Sequence, residues 1–336
     1  MTPMTQMTPM ASGGRHWATI NELGFVAGMR LLFWICRVFG RWPFRAVLYP
    51  VLAWYLLTKP TPRRASADYL RRVGAYAPVA AGWSGVLRHF AAFAENILDK
   101  MLLWGGLFDT AKVQFTGLEA MRRRIENKQG ALLICSHFGN LELCRVLSQQ
   151  RTGLKLTVLV HTKHAKAFNR MLGQIDPRSQ LNLLQVTEMT PATAILLAEK
   201  VAQGEFVVIA GDRIPVAAHP RVALASFLGQ QAAFPVGPYV LASILQCPIY
   251  LLFSMRRSAG TEVHFELLRE SVRLPRNGPN GRNGCNGREG REEALAALVA
   301  DYAARLEHYC ARAPLQWFNF YDFWHLPDLD HTDASR

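Results

Sequence analysis

The residues best suited to chemistry are His137 and Glu142, in the run His-Phe-Gly-Asn-Leu-Glu. An imidazole titrates near neutrality and a carboxylate can fix its tautomer, so together they make a general base. In an unbroken helix, residues five apart are rotated by about 140°. The two side chains therefore meet only if His137 stands ahead of the regular helix, which Gly139 permits. A lone histidine at a helix start is an ordinary cap, so the weight of the pair rests on its surroundings.

Those surroundings are read from hydrophobic pattern. Ala131 to Cys135 is a short apolar run of the kind that makes a buried strand, and Leu141, Leu143, Val146 and Leu147 suit a helix packed on a sheet. Val113 to Thr116 reads as a strand and Leu118 to Asn127 as a basic helix. Lys155 to Val160 is a strand ending in His161, and Ala165 to Ile175 a helix carrying Asn169 and Arg170. Leu181 to Val186 is another strand. Thr190 and Pro191 open a helix that Gly204 stops, and Glu205 to Ala210 is a buried strand ending in Gly211-Asp212-Arg213. Phe227 to Gly237 is rich in turn residues and leads into an apolar helix reaching Leu245. Two more strands, Pro248 to Met255 and Glu262 to Leu268, precede an Asn/Gly-rich flexible loop and a helix from Glu292 to Arg312. Alternation of this kind predicts an α/β fold, a layered sheet flanked by helices. His137, His161 and Asp212-Arg213 each follow an apolar strand, and ligands of open α/β sheets bind at that carboxyl edge.

The domain reading is a disordered tail over 1–15, a helical region over 16–108, an α/β core over 109–326 with a flexible loop at 276–290, and a tail over 327–336. From Arg15 to Arg72 ten Arg and Lys face only Glu22 and Asp68, among many Trp, Phe and Leu. No uninterrupted apolar run there is long enough for an ordinary spanning helix. Basic, aromatic helices of this type are expected to lie in a lipid interface, here an anionic one. A basic helical hairpin packed on its own domain is the plainer alternative. His89, Glu95 and Asp99 read as a polar stripe on one helix, not a metal site. Half the chain is hydrophobic and its formal charge is +13, which favours a membrane surface or an acidic protein partner. With no nucleic-acid-binding motif, nucleic acid is not an expected partner. Six scattered cysteines have no zinc-site spacing and read as reduced core thiols.

His137-Phe138-Gly139-Asn140-Leu141-Glu142 resembles the His-x-x-x-x-Asp/Glu motif of the lysophospholipid acyltransferase superfamily, in the form found in bacterial lipid A late acyltransferases. Gly211-Asp212-Arg213 is similar to that family's later acidic-Arg block. Phe227 to Gly237 with Leu241-Ala242, and Gln316-Trp317-Phe318, resemble its remaining blocks. The likeness is greatest to a subgroup often associated with aryl-polyene or xanthomonadin-type pigment pathways. Gly-Asp-Arg departs from the Glu-Gly-Thr/Ser-Arg of the glycerophosphate branch.

The resemblance implies an acyltransferase at the cytoplasmic face of the bacterial inner membrane. It would move an acyl group from acyl-carrier protein or acyl-CoA to a hydroxyl or amine of a lipid or glycolipid, with no other cofactor and no metal. His137 would be the base and Glu142 would hold its imidazole. Arg213 would meet an acidic headgroup, a donor phosphate or the oxyanion, with Asp212 orienting it. Asn140 would bond within the turn or touch substrate, and Arg170 and His161 are further substrate contacts. Covalent catalysis through Cys135 or Ser136 and a catalytically silent scaffold are the rival readings.

Overall fold

The computed structural model describes residues 31–143 apart from 32, together with 155–160, 182–185, 190–215, 220–275 and 287–326. The tails over 1–15 and 327–336, His161, Asn169 and Arg170 lie outside the described residues.

After helical backbone at 33–39 come three helices: α1 (Trp42–Thr58), α2 (Pro60–Val73) and α3 (Trp83–Trp104). The α/β core follows with β1 (Val113–Thr116), α4 (Leu118–Glu126), β2 (Ala131–Cys135), β3 (Leu156–Val160), β4 (Asn182–Gln185), α5 (Pro191–Ala202) and β5 (Phe206–Ala210). Then come β6 (Val222–Phe227), β7 (Gln230–Pro235), α6 (Gly237–Leu245), β8 (Ile249–Arg257), β9 (Gly260–Arg269) and α7 (Gly287–Arg312). Seven strands form one sheet in the order β1-β9-β8-β2-β5-β3-β4. All its pairings are parallel except β8 with β9.

Strand β2 lies between β8 and β5 and is buried along its whole length. Its alternation sends Leu132 and Ile134 into one core and Ala131, Leu133 and Cys135 into the other. That is why an unbroken apolar run is required here. The turn-rich segment after Phe227 proves to be a hairpin. Leu228 and Gly229, both at positive φ, make the two-residue link between β6 and β7 that suits the twist of paired strands. The last helix begins at Gly287, earlier than the pattern predicts, so part of the expected loop is helical.

In the N-terminal region α1 buries a stripe of Leu48, Leu52 and Leu56 against the core. Its other side leaves Trp42, Val47, Val51 and Trp54 exposed. Among the described residues no helix is long and apolar enough to cross a membrane. Two of the arginines expected to face lipid are committed elsewhere: Arg41 reaches Asp99 at 2.5 Å and Arg45 bonds Glu95. Glu95 and Asp99 of the polar stripe on α3 are thus the counter-charge of these N-terminal arginines.

The turn after β2 carries the candidate motif and has little room. Gly139 sits at φ +63°, and a Cβ there would fall 1.7 Å from the Ser254 carbonyl oxygen of β8. Gly139→Ala is expected to cost about 2 kcal/mol of stability or more, since both the backbone conformation and the β8 contact oppose a side chain. Thermal unfolding of the variant against wild type measures it.

Candidate functional site

Strands β2 and β5 pair in parallel with Cys135 opposite Ala210, and the Gly211 N–H continues the ladder to the Cys135 carbonyl at 2.8 Å. Two residues beyond that register, His137 and Asp212 face each other, although they are 75 residues apart in the chain. Gly211 keeps the approach open, because a Cβ there would lie 2.7 Å from Ile134 Cγ2 and 2.8 Å from the Tyr302 ring.

His137 Nδ1–H donates to Asp212 Oδ1 at 2.8 Å, and the His137 backbone N–H donates to Oδ2 at 2.7 Å. The same Oδ2 accepts from Trp317 Nε1–H at 3.0 Å. Asp212 is 2% exposed. Burial pushes its pKa up, but the His137 charge and the bonds from His137 and Trp317 outweigh this and hold it below the ordinary carboxylate value. With Nδ1 occupied as a donor, neutral His137 carries its lone pair on Nε2.

This arrangement corrects two expectations. The carboxylate that holds the imidazole at Nδ1 belongs to Asp212, not to Glu142. Glu142 is half-buried in the turn, and its backbone N–H donates to Asn140 Oδ1 at 3.1 Å. Asp212 in turn makes no bond to Arg213 among the described residues, its hydrogen bonds going to His137 and Trp317. Arg213 Nη2 instead approaches the Phe318 carbonyl at 3.5 Å, and the guanidinium stands 5.9 Å from the centre of the Tyr321 ring.

The third partner, Trp317, belongs to a segment that closes over the turn. Phe318 N–H donates to the His137 carbonyl at 2.8 Å and Gly139 N–H to the Gln316 carbonyl at 2.9 Å. The Gln316 side-chain amide pairs with both the N–H and C=O of Arg256, at 2.7 and 2.8 Å. Behind Trp317, fully buried His89 donates from Nε2 to the Trp317 carbonyl at 2.9 Å and accepts from Ser66 Oγ at Nδ1 at 2.8 Å. Burial lowers its pKa to about 4 and so keeps the imidazole neutral, the form that both donates and accepts. The sequence showed Gln-Trp-Phe as an aromatic segment, but nothing local marks an indole as the partner of a carboxylate 105 residues away.

Beside Arg213 lies a cavity of about 650 Å³, walled by Leu159, Ala194, Ile209, Val240 and Ile244, with Arg213 and Arg221 as its cations. Arg213 Nε is buried there and has no hydrogen-bond partner among the described residues. Cys135, the rival nucleophile, is buried, and burial together with the nearby Asp212 charge pushes its thiol up to about 12. Among the described residues no group of three or more His, Cys, Asp or Glu is placed to hold a metal ion.

The model of one protein family, described as bacterial lipid A biosynthesis acyltransferase, matches residues 108–325, more than half of the chain. No curated protein matches it.

His89 makes a pH prediction. Burial lowers its pKa from 6.5 to about 4, so the unfolded chain binds a proton there that the folded chain refuses. The stabilisation is complete above pH 6.5 and is lost as the pH falls toward 4. At 1.36 kcal/mol per pH unit it amounts to roughly 3 kcal/mol. Denaturant unfolding between pH 7 and 4.5 should show that slope in wild type and its loss in His89→Gln.

Proposed function

The chain belongs to the bacterial lipid A biosynthesis acyltransferase family, and on that premise we propose that it transfers a fatty or aryl-polyene-type acyl group from an acyl thioester to a hydroxyl or amine of a lipid or glycolipid. The observation that carries this reading is the His137–Asp212 pair at the carboxyl edge of the sheet, with an apolar cavity beside it. His137 Nε2 takes the acceptor proton as the oxygen or nitrogen attacks the thioester carbon. The resulting oxyanion collapses by breaking the C–S bond, and the departing thiolate receives the proton back from the imidazolium. Asp212 holds the productive tautomer and stabilises the transient positive charge. Arg213, whose buried Nε has no partner among the described residues, is the cation available to the oxyanion or to an anionic part of a substrate.

The cavity's apolar wall suits an acyl chain, each buried methylene contributing about 0.8 kcal/mol. Acyl-carrier protein and acyl-CoA are both consistent donors, and the basic chain suits the acidic carrier. We place the protein at the cytoplasmic face of the inner membrane. The support is α1, whose exposed Trp42, Val47, Val51 and Trp54 form an apolar surface next to basic residues.

Transfer of acyl groups to membrane lipid extracts, read by mass spectrometry, tests the mechanism. His137→Ala should lower the rate at least about 10²-fold. Asp212→Asn should cost more than Glu142→Gln, and the reverse order would return the orienting role to Glu142. Ala194→Leu, which fills the cavity, should shift the preferred acyl chain shorter by roughly two methylenes. Replacing Trp42, Val47 and Trp54 together by serine should abolish flotation with anionic vesicles while leaving the fold, followed by circular dichroism, intact.

A further inference from the structure

A second cavity, of about 480 Å³, lies on the other side of the His137 turn, between α3 and the end of β8. We propose that it binds the phosphate group of one of the two substrates. The inference deepens the acyltransferase reading and rests on it for the identity of those substrates.

Four arginines line this cavity, Arg45, Arg88, Arg256 and Arg257, against two carboxylates, Glu95 and Asp99. Three of the four have protein partners. Arg45 bonds Glu95, Arg256 lies 3.4 Å from both Glu95 and Asp99, and Arg257 reaches Glu262 at 3.7 Å and the Arg312 carbonyl at 3.1 Å. Arg88, exposed on α3, has no hydrogen bond or ion pair among the described residues. The lining therefore holds a surplus of positive charge with one guanidinium unpaired, and a planar fork of donors is matched to phosphate oxygens.

The inner wall carries an independent sign of a missing partner. Asn140 is 6% exposed and Ser254 1% exposed, and both line the cavity. Asn140 Oδ1 is used within the turn, while Asn140 Nδ2 and Ser254 Oγ have no hydrogen-bond partner among the described residues. Buried polar groups are ordinarily paired, so two orphans on one wall of an arginine-lined cavity indicate a polar ligand there. The position fits the chemistry. Asn140 is three residues after the proposed base, and Phe318, another wall residue, donates its N–H to the His137 carbonyl. A phosphate here would anchor a substrate on one side of the turn while the acyl chain occupies the apolar cavity on the other.

Phosphate is common to two sources, the phosphopantetheine arm of the donor and a phosphorylated headgroup of the acceptor. Isothermal titration of the full-length protein in detergent with 4′-phosphopantetheine and pantetheine, and with glucosamine 1-phosphate and glucosamine, separates them. The site is expected to prefer one phosphorylated probe over its phosphate-free counterpart. Arg88→Ala and Arg88→Gln should each weaken that probe about tenfold or more. A preference for phosphopantetheine assigns the site to the donor, and one for the sugar phosphate assigns it to the acceptor. If wild type prefers neither phosphorylated probe, or if both Arg88 variants bind as wild type does, the proposal is overturned. His137→Ala should bind the same probe unchanged. Because that binding needs no turnover, failure of acyl transfer and failure of this site are separate results.

Discussion

One buried carboxylate organises the site. Asp212 accepts two hydrogen bonds from His137 and one from Trp317, and so joins two distant parts of the chain. The His137 backbone bond locks the turn after β2 to the end of β5. The imidazole bond sets the tautomer. The indole bond ties both to the Gln316–Phe318 segment. An ionised group this deep is costly unless its charge is compensated, and three donors are what make it tolerable. Its depressed pKa follows from the same bonds, because they favour the charged form over the neutral one.

The helical region is hydrogen-bonded to the site through a buried histidine. Ser66 on α2 and His89 on α3 form a short chain of hydrogen bonds to the carbonyl of Trp317, whose ring is the one that reaches Asp212. Aromatic rings surround this line, with Tyr69 and Phe227 edge-on to Trp317 and Phe320 stacked on Phe90. The region expected to meet lipid is therefore also a wall of the site. Its arginines divide accordingly, Arg41 and Arg45 to Glu95 and Asp99, while the apolar outer stripe of α1 stays free.

The sheet was largely legible in the sequence because its strands are short apolar runs bounded by turn residues. β2, β5 and the flanking α5 with its Thr190 cap fall where the pattern puts them. The motif histidine was equally visible, since it follows a buried strand. Its partner was not. Sequence spacing favoured Glu142, five positions away, whereas the partner is brought in by parallel pairing of strands 75 residues apart. Had β2 and β5 been placed side by side with Cys135 opposite Ala210, counting two residues past the register would have found Asp212. The β6–β7 hairpin was missed for a local reason: Leu228 occupies a positive-φ position that usually goes to Gly, Asn or Asp.

The closing segment has a consequence for how the protein is made. Gln316, Trp317 and Phe318 pair with the turn around His137 and with the end of β8, so the site depends on contacts between distant stretches of chain. Synthesis proceeds from the N-terminus, and the sheet through β9 is translated before the strap that completes it. A nascent chain carrying His137 and Asp212 thus has both groups without the indole that holds them. Such a chain lacks the third donor to Asp212 until its late segment docks, which separates emergence of the apolar N-terminal helices from completion of the site.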